Sequence, residues 1–215
     1  MSVIEKFEFF ETPDPFSEFL FDEVNIAGRV CEPCVGSGAI IRASDRHSTH
    51  LQRQWVTNDL CPAFSSDWNL DATKGELYKH LSDAGPVDWF VSNPPFTPAI
   101  DIVDYCLHHA RVGVAMHLRI SINEPLKRGP RQTWFTEHPP TGILFLPRFA
   151  YQRSAKSGKW STDSVTSAWH IWRKDNPAQF IRYAPSRVVQ QTTRYAKIHR
   201  SRMDQLLASL RTSDF

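Results

Sequence analysis

The chain has 215 residues, 41% of them hydrophobic and 22% charged, enough for one α/β domain with a short extension and ordinary for a soluble globular protein. No apolar run approaches the ~18–20 residues that span a bilayer, and the first six residues lack the basic-then-apolar layout of a secretory signal, so a cytoplasmic location is expected. The net charge of +2 hides an asymmetry: residues 1–110 carry 7 Lys+Arg against 17 Asp+Glu, and residues 111–215 carry 18 against 6. A half that basic, with 13 of its 18 cations arginine, suits recognition of a polyanion through phosphate forks.

In chain order, residues 1–25 predict an N-terminal loop containing Thr12-Pro13-Asp14-Pro15, then a helix over 16–24 with apolar groups at helical spacing. A short strand over 28–32 turns through Gly36-Ser37-Gly38 into a helix that begins near Ala39. A second strand over 54–58 ends on Asp59. A weaker third strand is expected at 68–70, ending on Asp71, and a helix at 76–83. Residues 88–92 read as a buried strand, followed by a helix over 98–111 and a β-rich run over 112–118. Two further strands, 142–146 and 166–172, are close enough to pair as a hairpin. The loop 148–163 between them is long for a compact domain, which marks it as functional. The tail from Asp175 offers a strand over 179–183 and a basic helix over 196–210. Alternating strands and helices predict a mostly parallel sheet with helices on both faces. The closing hairpin would add an antiparallel strand at one edge.

Cys31 and Cys34 have Cys-x-x-Cys spacing, but no second pair completes a zinc set and Cys34 falls in the glycine loop. No metal is expected, and four thiols without a framework suit a reducing compartment.

Asn93-Pro94-Pro95-Phe96 is the most informative segment. It leaves the carboxyl end of a buried strand, where open α/β sheets bind ligands. It joins a side-chain amide, two φ-locked prolines and an aromatic ring, a set able to accept hydrogen bonds from a planar NH2 group and cover its ring. The glycine element Glu32-Pro33-Cys34-Val35-Gly36-Ser37-Gly38 lets backbone approach a ligand closely. It lacks the third glycine of a dinucleotide fingerprint and the Gly-Lys-Ser/Thr ending of a triphosphate loop. Glu32, placed before the loop, repels phosphates and welcomes a cation. Asp59 can accept hydrogen bonds from ribose hydroxyls, and Asp71 can take an exocyclic adenine amine. A nucleoside with a positive group and no phosphate fits this set; S-adenosylmethionine has that character.

Glu-Pro-x-x-Gly-x-Gly, Asn58-Asp59, Asp71-Ala72-Thr73 and Asn93-Pro94-Pro95-Phe96 together resemble the amino-group DNA methyltransferases, in particular the small phage and prophage adenine-N6 type. Phe10-Glu11-Thr12-Pro13, Leu118-Arg119, Asn123-Glu124-Pro125, Pro139-Pro140, Leu146-Pro147-Arg148-Phe149 and Ala168-Trp169-His170-Ile171-Trp172 extend the similarity over roughly residues 9–175. The resemblance implies a Rossmann-like class I methyltransferase fold, with a mostly parallel seven-stranded sheet and one antiparallel edge strand. Residues 1–175 would form the methyltransferase domain and 176–215 a basic C-terminal extension. It implies S-adenosylmethionine as cofactor and DNA, most simply double-stranded, as partner, in a bacterial cell or phage-infected host. Glu32, Pro33, Gly36 and Gly38 would hold the methionine end, Asp59 the ribose and Asp71 the adenine. Thr12 and Pro13 would close over the methionine carboxylate. Asn93 and the Pro94 carbonyl would accept the hydrogens of the target amine, with Pro95 shaping the loop and Phe96 stacking on a flipped base.

Family members usually carry a separate target-recognition domain, and little room remains for one here. The loop 148–163 and the tail are expected to share that task. Candidate DNA contacts are Arg119, Lys127, Arg128, Arg131, Arg148, Arg153, Lys156 and Lys159, with Tyr151 and Trp160 as wedges or base platforms. Arg194, Lys197, Arg200 and Arg202 form a second patch that also reads as a solvated helix face. The same chemistry on RNA adenine, cytosine N4 or a protein glutamine amide, and an inactive nucleic-acid-binding relative, are the alternative functions.

Overall fold

The central strands are near-continuous apolar runs, and because successive side chains point to opposite faces, each strand serves two helical layers. In the computed structural model, which describes residues 8–47, 52–124, 133–151, 166–176 and 178–212, the strands are β1 (Gly28–Glu32), β2 (Arg53–Thr57), β3 (Val87–Ser92), β4 (Ala110–Arg119), β5 (Gly142–Phe145), β6 (Ser167–Arg173) and β7 (Phe180–Tyr183). The helices are α1 (Asp14–Glu23), α2 (Ala39–His47), α3 (Gly75–Asp83), α4 (Ala99–His109), α5 (Trp134–Glu137) and α6 (Ser186–Thr212). One seven-stranded sheet has the order β2-β1-β3-β4-β6-β5-β7. Phe90 of β3 and Val114 and Met116 of β4 face α3 and α4, where Leu77, Tyr78, Ile102 and Cys106 complete one core. Trp89 and Val91 face the other way, onto Phe16, Phe19 and Leu20 of α1, Ile40 of α2 and Val188 of α6.

Three expectations are corrected in detail. The antiparallel strand β6 is not at an edge: it pairs antiparallel with both β4 and β5, and β7 then adds parallel to β5 as the outer strand. The third strand at 68–70 is reduced to a single bridge between Asn58 and Trp68. The Asn58 side chain takes over the pairing there, donating to Leu70 O at 2.9 Å and accepting from Leu70 N at 3.0 Å. The tail helix begins at Ser186 rather than 196, because its buried stripe includes Val188, Thr192 and His199. Threonine and histidine conceal that stripe from an apolar-periodicity reading. Residues 178–212 thus supply the sheet's edge strand and a helix packed on the same core.

The charge asymmetry is partly spent inside the molecule. Arg187 pairs with Asp22 at 2.7 Å, Arg202 with Glu11 at 3.0 Å, and Arg182 approaches Glu23 at 4.0 Å. Each pair joins the basic C-terminal half to the acidic N-terminal half. No helix among the described residues is long and apolar enough to cross a membrane.

Candidate active site

The strand order reverses direction at β1, which is flanked by β2 and β3. The loops leaving the carboxyl ends of β1 and β3 therefore diverge and open a crevice between them. On the β1 side, Gly36 and Gly38 adopt φ of 51° and 72°, a left-handed backbone that a side chain resists. Added bulk at Gly36 would also collide with the Phe9 ring at 2.8 Å. Asp59, beyond β2, accepts from the Gly36 amide at 2.7 Å and the Cys61 amide at 2.8 Å. It clasps the glycine loop while its carboxylate remains part of the crevice wall.

Glu32 closes β1 at the floor of this crevice, 1% exposed, and its Oε2 has no hydrogen-bond partner. Burial pushes its carboxyl well above the usual range, and the nearby Asp59 charge pushes the same way against the weaker pull of Arg42. Asp59 is also raised by burial, in part offset by its two amide donors. Two buried acids with an unfilled acceptor between them are costly unless a cation joins them.

On the β3 side, Asn93 Nδ2 donates to the Phe10 carbonyl at 2.7 Å. A carbonyl can only accept, so the amide's orientation is fixed and Oδ1 is the acceptor it can offer a ligand. The Phe96 ring stacks on Phe10 at 5.3 Å, and the Arg119 guanidinium lies 4.0 Å from its centroid. Residues 8–12 run across the crevice as a strap. Glu8 accepts from the Thr97 amide at 3.0 Å, Phe9 packs on Phe64 at 4.9 Å, and Ser37 Oγ donates to Glu11 at 2.6 Å. The partly open cavity measures about 360 Å³.

Of the residues expected from sequence, Thr12, Glu32, Gly36, Asp59, Asn93 and Pro95 line this one cavity. Others do not. Pro13 caps α1, its carbonyl accepting from Phe16 and Ser17. The Pro33 carbonyl accepts from Asn58. Gly38 borders an adjoining groove with Arg42 and Arg202. Asp71 turns its carboxylate back onto Thr73, at 2.9 Å from the amide and 2.7 Å from the hydroxyl, as a local turn residue does. Pro94 is buried, and Phe96 is covered by Phe10 and Arg119. Among expected DNA contacts, Arg119 reaches the site, Arg148 is exposed, and Tyr151 packs edge-on against Phe10 at 5.9 Å. Lys127, Arg128, Arg131, Arg153, Lys156, Lys159 and Trp160 lie outside the described residues. The four cysteines are free, and no metal-binding group of three ligands occurs among the described residues.

Sequence reasoning missed Glu8, Phe10, Glu11 and Phe64. A signal existed for Glu11 in the Phe10-Glu11-Thr12-Pro13 motif. Phe10 shares that motif, but nothing in it announces a main-chain contact with Asn93.

S-adenosylmethionine fits the cavity chemically: its cationic groups would meet the unpaired acceptor of Glu32, and Asp59 retains lone pairs for ribose hydroxyls.

No protein-family model and no curated protein matches the chain. Solved structures do share its fold. The type I restriction-modification methyltransferase subunit from Streptococcus thermophilus superposes with a TM-score of 0.58 at 12% identity, over 87% of this chain and 53% of that one. A type I restriction-enzyme modification subunit from Vibrio vulnificus gives 0.56 at 11%, over 82% and 48%. A candidate class I S-adenosylmethionine-dependent methyltransferase from Listeria monocytogenes gives 0.54 at 11%, over 86% and 67%. The chain spans about half the length of the two restriction-system subunits. The likeness is one of architecture, and the architecture is the class I methyltransferase fold.

Proposed function

We propose that this protein transfers a methyl group from S-adenosylmethionine to the N6 amine of adenine in DNA. One observation carries the reading: Asn93, whose Oδ1 is left free to accept, and Glu32, whose Oε2 has no partner, line one cavity, an arrangement that would suit an amine beside a cation. That two fold relatives are modification subunits of restriction systems supports DNA as the acceptor.

When bound, S-adenosylmethionine supplies an electrophilic methyl group. Glu32 would bind its positive end, Asp59 its ribose, and Thr12 would close the methionine side. The exocyclic amine of adenine is a poor nucleophile because its lone pair is delocalised into the ring. Asn93 Oδ1 and the Pro94 carbonyl would accept hydrogen bonds from its two N–H groups and favour a pyramidal nitrogen, freeing the lone pair to form the N–C bond as the donor's sulfur–carbon bond breaks; the nitrogen then sheds one proton to water. The rigid Pro94-Pro95 backbone keeps those acceptors from relaxing. Such positioning is worth up to roughly 7–11 kcal/mol in good cases. The base leaves the duplex first, at a cost of a few kcal/mol. Phe96 offsets part of this by stacking, on the order of 1–3 kcal/mol per base, once Arg119 swings from its ring. The strap, ordered by Glu8 and Glu11, excludes water from the reacting groups.

The test is incubation with methyl-labelled cofactor and separate DNA, RNA and protein acceptors, followed by nucleoside mass spectrometry. N6-methyladenine in DNA is expected. Label found only in RNA, in N4-methylcytosine or in glutamine would replace the acceptor, and no transfer to any of them would sink the reading.

A further inference from the structure

Glu11 is a fully buried acid that ties together parts of the chain remote in sequence. Its Oε1 accepts from Ser37 Oγ at 2.6 Å and lies 3.0 Å from both Arg42 Nη2 and Arg202 Nη2. Its Oε2 lies 3.3 Å from His199 Nδ1. Ser37 belongs to the glycine loop, Arg42 to α2, and His199 and Arg202 to α6.

The neighbours of Glu11 in sequence enter the site directly. Thr12 lines the cavity. The carbonyl that holds Asn93 belongs to the peptide bond between Phe10 and Glu11. A peptide unit is a rigid plane, so a change in φ at Glu11 turns that carbonyl relative to the Glu11 side chain. The Asn93 amide is thus one planar unit away from the buried ion cluster.

A stabilising role alone explains the cluster poorly. Burying a carboxylate and a histidine beside two partly exposed arginines carries a desolvation cost that well-packed apolar side chains would avoid. What such a cluster does supply is geometry, because hydrogen bonds from Ser37 and Arg42 and the close approach of Arg202 and His199 hold the acid from three elements at once. The geometry points to Glu11 as a positioning residue for the methyl transfer proposed above, and to α6 as part of the working site. Gripped by Arg202 and His199, the Glu11 carboxylate fixes the strap whose Phe10 carbonyl aims the amide of Asn93. This rests on the methyl-transfer reading for its catalytic meaning, but not for its structural content.

The experiment compares wild type with Glu11→Gln, Arg202→Ala and Arg202→Lys. Two readouts are taken: kcat and KM with DNA and S-adenosylmethionine, and the side-chain amide signals of Asn93 in nitrogen-15 spectra, identified by their loss in Asn93→Ala. Glu11→Gln and Arg202→Ala are expected to shift the Asn93 signals and lower kcat about tenfold through misalignment, with the DNA KM little changed. Arg202→Lys should restore most of both. Should Glu11→Gln fail to fold, Arg202→Ala decides alone, since the Arg202 side chain is 40% exposed. Folded variants whose Asn93 signals stay in place overturn the inference, even if their thermal stability drops. If wild type methylates no acceptor yet the signals move, the Glu11–Asn93 link stands and the methyl-transfer reading falls.

Discussion

The side-chain nitrogen of Asn93 donates to the main-chain carbonyl of Phe10 at 2.7 Å, across 83 residues of sequence. That bond decides which end of the amide faces the cavity. It also means that a residue conspicuous in sequence depends on one whose side chain is irrelevant to the contact.

Replacing Asn93 by alanine removes the amine acceptor but leaves Glu32, Asp59 and Thr12 in place. We expect kcat to fall roughly 10²–10³-fold, the scale seen when one preorganised hydrogen-bonding group is deleted from an active site. Cofactor binding by calorimetry should change little. Turnover at the wild-type rate would remove Asn93 from the mechanism.

Glu32 predicts a pH dependence with a definite sign. Burial raises its carboxyl well above the ordinary 4.5, so the folded, ligand-free protein holds a proton that the unfolded chain has released. Stability therefore falls as pH rises above about 4.5 toward the folded value. Glu32→Gln should flatten that decline in thermal midpoints measured from pH ~5 to ~8, while weakening S-adenosylmethionine binding tenfold or more. Parallel curves for wild type and variant would show that Glu32 carries no such strain.

Two buried histidines act in the opposite direction. Burial and the charge of His170 push His117 down to about 3, and burial pushes His170 down to about 4 despite its contact with the Ala168 carbonyl. Both stay neutral in the fold, accepting or sharing hydrogen bonds with Ser167 and Asn123. Their contribution is complete above the ordinary 6.5 and is lost as pH falls toward those lowered values. Their imidazole proton resonances should stay fixed from pH ~8 to ~5. A titration midpoint near 6.5 for either would contradict the burial argument.

Arg119 covers Phe96, and in the proposed reaction it must move aside, toward the phosphate backbone. Arg119→Ala should raise the DNA KM and reduce the salt slope of DNA binding by about one. Its S-adenosylmethionine affinity should match wild type. An unchanged salt slope would confine Arg119 to packing on the ring.

The two loops that build the site were legible because each is made of residues with few local alternatives. Glycines at positive φ and adjacent prolines announce their backbone, and an acid such as Glu32 at the end of an apolar strand is conspicuous. Asp71 was less legible for the opposite reason: Asp-Ala-Thr is also an ordinary local turn, and one carboxylate oxygen of Asp71 accepts from the Thr73 amide and hydroxyl. The basic half misled in part as well. Arg182, Arg187 and Arg202 meet acids 159 or more residues earlier, and charge counting along a chain does not register where the chain returns.

Sequence alone determined the alternation of strands and helices, the glycine loop after β1 and the Asn-Pro-Pro-Phe loop after β3, since these follow from side-chain periodicity and from the φ limits of glycine and proline. Only the tertiary structure decided that β6 lies inside the sheet, that the strap of residues 8–12 bridges both loops, and that Glu11 links α6 to Asn93. Those relations depend on which distant segments share a desolvated space, where an ion or a main-chain carbonyl is bound by whatever donor the fold delivers to it.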